Sequence, residues 1–438
     1  MAKILQQNLF SWKEIEDLGD LERLHLVINH LDDEALIQLL ERDRKNGRDD
    51  YPVRAIWNSM LAGIVYQHPT IETLIRELKR NAQLREICGF DPLKGRDAIP
   101  KSYNYSRFLK KLLNNTSAID KIFNSLVRSL QNELPGFGKI LAGDGKAISS
   151  HANTYTKKPE ADGRRDLDAD FGKKTYQGIN EDGSAWKKVK SWFGYKLHLI
   201  IDAEYEIPVG FEVTKASCAE TKVMKKLLDK VDTDQPDFFK TCEYLLLDRG
   251  YDDNRLAKKL WKQYGVKPII DIRNLWKDPD KTRLLEGTQN IVYDYRGKIS
   301  CCSLASGNMQ EMSYGGYEKN RETLKYRCPA KAYGLSCSSS NTCPSSSGLR
   351  IKIDENIRQF PPLPRSTYKW KDLYKKRTTV ERVNGRLDVS FGFENHTIRG
   401  LKKMKVRCGL ALIVMLTMAL GRAREKKFDL IRSLVKTA

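Results

Sequence analysis

The chain has 438 residues, of which 40% are hydrophobic, which is enough to bury a core and excludes global disorder. It carries 77 Lys and Arg against 56 Asp and Glu, a formal net charge of +21 at pH 7. This excess favours a polyanionic partner, nucleic acid above all, because Lys and Arg neutralise phosphate charge. A generally basic protein, such as a ribosome-associated factor, is the alternative that charge alone leaves open.

The expected location of the protein follows from three patterns. Residues 1–8 do not lead from a basic segment into a long apolar one, so no secretory signal is predicted. The apolar run 410–420 is shorter than the roughly 20 residues that span a bilayer, and it predicts a buried helix. Nine cysteines, an odd number, favour a reducing compartment over a disulfide framework. We therefore expect a cytoplasmic, nucleoid-associated protein without membrane contact.

Residues 1–135 are predicted to form a helical N-terminal DNA-binding domain. Apolar residues recur at helical spacing and cations occupy the other faces, which predicts helices at 51–66, 70–87 and 103–113 among others. Short helices with basic faces suit helix-turn-helix binding, in which a second helix enters the major groove. A helical dimerisation or packing cap is the alternative.

Residues 136–273 are predicted to form the first part of an α/β catalytic domain with a mixed sheet. The run 244–247 is continuously apolar, as in a strand that is buried on both faces. Strands and helices alternate around it, which is typical of an α/β layer. The predicted elements are strands at 139–143, 194–201, 206–213, 244–247 and 266–272, helices at 222–231 and 254–264, and a long polar loop at 151–190.

Two further segments complete the predicted organisation. Residues 274–360 have alternating tyrosines, Gly and Ser clusters and five of the nine cysteines, and they predict a β-rich insertion. Residues 361–438 follow a proline cluster and predict a C-terminal helical part of the catalytic domain.

The cysteines of the insertion have two interpretations. Four of them could bind Zn²⁺ as a four-cysteine site, although their spacing is not that of paired C-x-x-C motifs. Reduced cysteines in a β-rich segment are the alternative. The four residues are Cys301, Cys328, Cys337 and Cys343.

Three carboxylates carry the chemistry that the sequence suggests. Asp144 closes the predicted strand Lys-Ile-Leu-Ala-Gly-Asp, and Asp248 closes Tyr-Leu-Leu-Leu-Asp. Glu381 lies on a predicted basic helix. An Asp at a strand end is usually a turn or cap residue. Together, however, two acids at strand ends and one on a basic helix are what a two-metal phosphoryl-transfer site needs.

The predicted helix around Glu381 is strongly cationic, with 13 Lys and Arg against 4 acids in residues 365–407. Tyr374, Arg377, Glu381 and Asp388 are spaced so that one helix would carry all four on one face. An Arg one turn before a metal-binding acid can grip a phosphate through two parallel hydrogen bonds. We therefore predict that Tyr374 and Arg377 contact DNA.

Two residues of the 194–201 strand are further candidates for phosphate contact. Lys196 and His198 are two residues apart and lie on the same face of that strand. The alternative is the polar face of a half-buried strand. Lys146, beside Asp144, is undecided in the same way.

In these residues the chain resembles the DDE transposases of bacterial insertion sequences. The acids stand in the order Asp, Asp, Glu, and the last belongs to a Tyr-x-x-Arg-x-x-x-Glu signature. The resemblance covers roughly residues 50–425, including the helical segment from about Tyr51 to Leu113. Its motifs are Gly143-Asp144-Gly145, Trp192-Phe193-Gly194-Tyr195-Lys196-Leu197-His198, Leu247-Asp248-Arg249-Gly250-Tyr251 and Glu381-Arg-Val-Asn384-Gly-Arg386.

The resemblance implies a ribonuclease-H-like catalytic core in which Asp144, Asp248 and Glu381 hold two Mg²⁺ ions, with Mn²⁺ as a substitute. It implies cleavage at element ends and attack of the released 3′-hydroxyl on target DNA. The expected partners are double-stranded DNA, as terminal inverted repeats and as target, and a second copy of the chain in a homodimer on paired ends.

One position departs from the family pattern. The signature often ends with Lys seven residues after the Glu, and Asp388 occupies that position here. Arg382, Arg386 or Lys402 could supply the missing DNA contact, and we count Arg386 among the DNA-binding candidates. Two other functions remain open: a DNA-binding derivative that has lost catalysis, and a ribonuclease-H-like nuclease without strand transfer.

Overall fold

A computed structural model of the protein describes residues 21–44, 51–152, 154, 165–180, 182, 184–278, 280–303, 307–339, 341–354 and 356–432. The chain divides into two units. The first comprises Met1–Phe137, Gly145–Ala219 and Val380–Ala438, and the second comprises Gly138–Asp144 and Glu220–Thr379.

The N-terminal part of the first unit is helical, as predicted. The predicted helix at 70–87 is two helices, because Asn81 ends one and caps the next by accepting a hydrogen bond from the Leu84 amide. Residues 1–20 lie outside the described part of the chain. The helices are α1 (Leu21–His30), α2 (Glu34–Arg42), α3 (Val53–Val65), α4 (Ile71–Arg80), α5 (Ala82–Cys88), α6 (Ser102–Asn114) and α7 (Thr116–Glu133).

The central sheet is mixed and has the strand order β2-β3-β1-β5-β6, with β4 also paired to β3. β1 pairs with β5, and β5 with β6, in parallel, whereas β2–β3 and β3–β4 are antiparallel. β1 contributes residues to both units. The strands are β1 (Ile140–Ser149), β2 (Asp170–Ile179), β3 (Ala185–Asp202), β4 (Ile207–Lys215), β5 (Tyr244–Leu247) and β6 (Lys267–Ile270).

The loop predicted at 151–190 is wrong in its second half. Residues 170–179 form β2, which pairs with the start of β3 from Asp170↔Gly194 to Ile179↔Ala185. Strand propensity is weak here because lysines and glycines interrupt the apolar residues, so the local pattern gave no signal. The predicted hairpin at 194–213 is confirmed by the pairing of β3 with β4.

The remaining helices of the first unit are α13 (Thr379–Phe391) and α14 (Leu401–Arg424). α14 packs against α7, α1, α3 and β4, all within this unit. With 24 residues it is longer than the predicted apolar run and by length and composition could cross a membrane. However, 89% of its most apolar window is buried inside the protein, so it has the place of a core helix.

The second unit surrounds β5 and β6 with helices and carries the segment predicted as a β-rich insertion. Strands β7–β10 form one antiparallel sheet and β11–β13 another, and they share a cluster of buried residues that includes Ile299 and Leu324. The helices are α8 (Glu220–Asp234), α9 (Phe238–Thr241), α10 (Asn254–Tyr264), α11 (Pro329–Tyr333) and α12 (Tyr368–Lys375). The strands are β7 (Arg283–Leu284), β8 (Ile291–Tyr293), β9 (Ile299–Cys302), β10 (Met309–Glu311), β11 (Ser313–Glu318), β12 (Thr323–Arg327) and β13 (Leu349–Lys352).

Gly194 allows the backbones of two segments of the first unit to approach closely. A Cβ atom at Gly194 would lie 2.2 Å from the carbonyl oxygen of Ile148. We therefore expect Gly194→Ala to lower the free energy of unfolding by about 2–3 kcal/mol, as overpacking does. Chemical denaturation measures the change.

Gly385→Ala is the matched control. Gly385 lies inside α13, and an added Cβ would have no atom within 4 Å. Since Gly in a helix interior is less stable than Ala by roughly 0.5–1 kcal/mol, this variant should be slightly more stable than the parent. Equal stability of the two variants would contradict the role assigned to Gly194.

Candidate active site

Asp144 and Asp248 follow directly on paired residues of two parallel strands in the second unit. β1 and β5 pair from Ile140↔Tyr244 to Gly143↔Leu247, so the next residue on each strand is an aspartate. Both aspartates are half-buried, whereas the β5 residues before Asp248 are fully buried. The pairing therefore brings two carboxylates to neighbouring positions, as predicted from their order in the sequence.

One detail of that prediction was wrong, because Asp144 does not end its strand. β1 continues to Ser149, and only its pairing with β5 ends at Gly143. The short-range pattern predicted a strand end because Gly143-Asp144-Gly145 is typical of a turn. Asp248 does end β5, and its carboxylate accepts a 2.6 Å hydrogen bond from the Gly250 amide in the 3₁₀ turn Arg249–Tyr251.

A buried tyrosine and a third acid accompany the two aspartates. Burial, followed by the charges of Glu220, Asp144 and Asp248, raises the pKa of Tyr251 well above its usual value. The Tyr251 hydroxyl is buried and has no hydrogen-bond partner in the described part of the chain. Glu220 is the first residue of α8, and α8 packs against the turn that contains Tyr251. Three carboxylates of the second unit thus raise the pKa of one buried hydroxyl.

The sequence gives no signal for Glu220. An acid in the first turn of a helix is common, because it interacts favourably with the helix dipole. Tyr251 does belong to the Leu-Asp-Arg-Gly-Tyr motif, but its distance from Asp144 depends on how β1 and β5 pair.

Tyr374 lies near Asp248, also within the second unit. Burial, the charge of Asp271 and, more weakly, that of Asp248 raise the pKa of Tyr374, against the opposing effect of Arg377. The ring stacks on Trp370 with centroids 4.8 Å apart, and the Arg377 guanidinium lies 5.9 Å from its centre. The structure therefore brings two of the predicted DNA-binding residues to the side of Asp248.

Arg249 adds a cation to this surface that sequence reasoning did not assign. It is exposed, and its Nε donates a 2.9 Å hydrogen bond to the buried Asp271. This carboxylate raises the pKa of Arg249 and also accepts from Arg296 at 3.0 Å. Asp271 thus orients two guanidinium groups beside the end of β5.

The single helix predicted around Glu381 is interrupted. Tyr374 is in α12, Arg377 is in a 3₁₀ turn (Lys376–Thr378), and Glu381 is in the first turn of α13. These three residues and Asp388 therefore do not share one face of a regular α-helix, because the rotation per residue in a 3₁₀ turn differs from that in an α-helix. Glu381 is exposed and belongs to the first unit, whereas Asp144 and Asp248 belong to the second.

Arg386 is held by an acid of the first unit. Its Nη2 donates to the carboxylate of buried Glu206 at 2.8 Å, and Arg382 donates to the same carboxylate at 2.5 Å. Burial lowers the pKa of Arg386. A buried carboxylate left without partners is strongly destabilising, so these two cations of the signature stabilise the fold.

Asp388 has a cationic partner. Its carboxylate accepts a 2.6 Å hydrogen bond from Nζ of Lys146, whose side chain is only 9% exposed. Glu394 lies 3.6 Å from the same amino group. Asp388, at the position where the family often has Lys, therefore neutralises Lys146, which lies on β1 two residues after Asp144.

Lys196 and His198 are buried in the first unit. Nζ of Lys196 donates to the Cys218 carbonyl at 3.1 Å, and Nε2 of His198 lies 3.0 Å from the Thr214 hydroxyl. Burial and the charges of Lys196 and Lys174 lower the pKa of His198 to about 3. His198 is therefore neutral at pH 7, and the surroundings of both residues match the interpretation as polar groups of a buried strand.

The cysteines of the insertion line one cavity of ≈ 330 Å³. Burial raises the pKa of Cys301, and the neighbouring thiols of Cys328, Cys337 and Cys343 raise it further. The side-chain amide of buried Asn290 lies 3.3 Å from the sulfur of Cys343. All nine cysteines are free thiols.

The described residues contain no group of three or more His, Cys, Asp or Glu side chains placed to hold a metal ion. The donor chemistry nevertheless fits two different ions. Carboxylates around a buried, unpartnered hydroxyl suit a hard ion such as Mg²⁺, and a set of thiols suits Zn²⁺.

Comparison with protein families gives two matches. The Transposase DDE domain matches residues 140–417, more than half of the chain, and a Transposase domain (DUF772) matches residues 10–111. The matched ranges include the helical N-terminal region and all three predicted acids. Together they define a class of enzymes that cut and transfer DNA, usually with a divalent metal ion. The chain belongs to the DDE transposase family, of the insertion-sequence kind. Comparison with curated proteins gives no match.

Replacing Asp388 with the family's Lys is expected to destabilise the protein. Asp388→Lys removes the partner of Lys146 and places a second cation beside it. Asp388 is 34% exposed, so solvent screens part of this effect, and we expect a loss of about 1–3 kcal/mol in the free energy of unfolding. Urea denaturation at neutral pH measures it.

Val389→Lys is the control, since it adds the same cation at the next, exposed position of α13. If both variants unfold at the same urea concentration as the parent, the ion pair does not stabilise the fold.

Proposed function

We propose that the protein cleaves the ends of its insertion sequence and joins the released 3′-hydroxyl to target DNA by two-metal phosphoryl transfer. Asp144, Asp248 and Glu381 would be the catalytic and metal-binding residues. The observation that carries this proposal is the pairing of β1 with β5, which places two aspartates side by side next to a buried hydroxyl. Phosphoryl transfer depends on such positioning and on charge stabilisation.

The metal ions would be held by carboxylates. When bound, Mg²⁺, or Mn²⁺ in its place, makes water or a 3′-hydroxyl a better nucleophile and neutralises phosphate charge. Asp144 and Asp248 would supply oxygen ligands, and Glu381 would complete the set. Glu220 would add negative charge on the α8 side, and the Tyr251 hydroxyl would donate a hydrogen bond to an oxygen in the site.

Tyr374 and Arg377 would hold the phosphate of the cleaved strand, and Arg249 would act with them. The proximity of Tyr374 to Asp248 and Arg249 supports this assignment. Arg386, Lys196 and His198 were candidates for the same role, but their side chains are occupied or buried inside the first unit. We therefore assign phosphate binding to Tyr374, Arg377 and Arg249.

The strand order supports a ribonuclease-H-like catalytic core. Residues 195–202 of β3 pair with β4, whereas 185–194 pair with β2. In the buried part of the sheet the order is therefore β4-β3-β1-β5-β6, in which β4 and β3 are antiparallel to each other and β1, β5 and β6 are parallel. The helical domain 1–135 would bind the inverted repeats of duplex DNA, and a homodimer would hold two ends together.

Cleavage and joining of DNA test this proposal directly. With Mg²⁺ and duplexes that carry the element's inverted repeats, the parent should nick the ends and join them to a target plasmid. Asp144→Asn, Asp248→Asn and Glu381→Gln should each lower the rate about 100-fold or more, while binding to the same duplex persists. Gel assays with end-labelled duplexes separate cleavage, joining and binding.

Asp372→Asn, which changes an exposed acid of α12, is the control and should keep the parent's rate. Glu220→Gln should lower the rate less than the three acids do. Binding without cleavage by the parent would instead favour a DNA-binding derivative. Cleavage without joining would favour a nuclease.

We also propose that four of the five cysteines that line the cavity of the insertion bind structural Zn²⁺: Cys301, Cys328, Cys337 and Cys343. Zinc–thiolate bonds are about 2.3 Å long, so binding would have to draw the thiols closer together. The hydrogen bond from Asn290 to Cys343 is of the kind that orients a metal ligand.

Protein purified without chelator is expected to carry about one zinc per chain by mass spectrometry of the metal. Cys328→Ser with Cys337→Ser should remove it and lower the melting temperature. Cys218→Ser, outside the cavity, should not. A zinc content near zero in the parent would leave the interpretation of reduced cysteines in a β-rich segment.

A further inference from the structure

The outer part of β3 is exposed, unlike the rest of that strand. Residues 185–191 are all exposed, whereas residues 192–202 are all buried in the first unit. β2 pairs along the exposed part, and the two strands meet at a turn that contains Asp182. We call this element, Asp170–Ile179 with 185–191, the β2–β3 ribbon.

Two aromatic contacts stabilise the β2–β3 ribbon. Trp186 covers Gly178 and Trp192 covers Gly172, so closely that a Cβ at either glycine would lie within 2.5 Å of an indole atom. A two-stranded ribbon is only marginally stable by itself, and an aromatic residue across from a glycine compensates for the missing side chain. The ribbon is therefore a formed element that extends from the sheet.

The charge of the β2–β3 ribbon is almost all positive. Residues 185–191 contain three lysines and no acid, and the paired part of β2 adds Lys173 and Lys174. The acid of β2, Asp170, accepts a 2.8 Å hydrogen bond from the Ser217 amide at the base of the ribbon. Within the described part of the chain, the three lysines of residues 185–191 have no ion-pair partner. These lysines are Lys187, Lys188 and Lys190.

Protection of an exposed strand edge does not explain this pattern. Single lysines prevent edge-to-edge pairing, but Lys174 lies directly opposite Lys190 in the register. Like charges at opposed positions destabilise a sheet. A polyanion bound along the ribbon would neutralise Lys190, whereas Lys174 also donates a 3.2 Å hydrogen bond to the Gly145 carbonyl.

The dimensions of the β2–β3 ribbon fit duplex DNA. The seven exposed residues of β3 at about 3.3 Å each give the ribbon a length of about 23 Å, roughly two-thirds of one turn of the double helix. The major groove admits a two-stranded ribbon. Lys188 and Lys190 lie on one face and Lys187 on the other, so that a ribbon in a groove presents cations to both phosphate backbones.

We propose that the β2–β3 ribbon is a DNA-binding arm that lies in a groove of duplex DNA and contacts the phosphate backbones through its lysines. Such contacts carry no sequence information, so the arm binds element and target DNA alike. The proposal adds a DNA contact that is separate from the catalytic acids and from the N-terminal helices. It does not depend on the proposed chemistry.

The test is the salt dependence of DNA binding by the full chain. The variant Lys187→Gln/Lys188→Gln/Lys190→Gln is compared with the parent on a 30-base-pair duplex without element sequence, with EDTA, at 50–300 mM NaCl. The slope of log K against log salt is negative, and each lost phosphate contact makes it less steep by about 0.9. We therefore expect the slope of the triple variant to be less steep than that of the parent by about 2–3. Affinity at the lowest salt should fall at least tenfold. Fluorescence anisotropy measures both.

A second triple variant has the same net charge and serves as control. Lys258→Gln/Lys319→Gln/Lys352→Gln changes exposed lysines of the second unit and should leave the slope unchanged. Equal slopes for both triple variants would overturn the proposal. So would a ribbon variant that binds DNA normally but no longer self-associates, because the ribbon would then contact a second copy of the chain.

Lys190→Gln distinguishes a binding role from a structural one. It removes an exposed cation of the ribbon, so it should weaken DNA binding while it leaves the melting temperature unchanged. A variant that loses both stability and binding would indicate that the lysine supports the fold, and would contradict the proposal.

Discussion

The parallel pairing of β1 with β5 is the constraint on which the candidate active site depends. Its register makes Asp144 and Asp248 the next residues on neighbouring strands. A shift by one residue would turn every side chain of a strand to the opposite face. Such a shift would move Glu243 or Asp248 into a buried position of the run Tyr244–Leu247, and burying a carboxylate is costly. The position of two carboxylates is thus determined by hydrophobic burial several residues away.

A second constraint explains where the positive charge of the chain is used. Buried charges must be paired, and several cations of the transposase signature pair with acids of the first unit. Arg382 and Arg386 bind Glu206, and Lys146 binds Asp388. These cations stabilise the fold, so we propose that other cations contact DNA. The exposed cations include the lysines of the β2–β3 ribbon and Arg249 beside the end of β5, and we propose that both groups contact DNA.

Much of the fold could be predicted from local patterns, and each exception has its own physical cause. The strand 244–247, the helix Asn254–Tyr264 and the hairpin at 194–213 agree with prediction because burial gives them strong periodicity. The β2 strand was missed, since an exposed ribbon has no buried face to produce alternation. The helix around Glu381 was predicted as continuous because side-chain spacing does not reveal a 3₁₀ turn between two helices.

The sequence by itself determined the order of the acids, the excess of cations and the strands that precede both aspartates. From these the family could be inferred, because motifs and their spacing are properties of the chain. Only the tertiary structure decided which groups surround the aspartates. Glu220 and Tyr251 join them, Lys146 neutralises Asp388, and Lys196 and His198 are buried. Such contacts join residues far apart in the chain, and their formation depends on packing that no local pattern encodes.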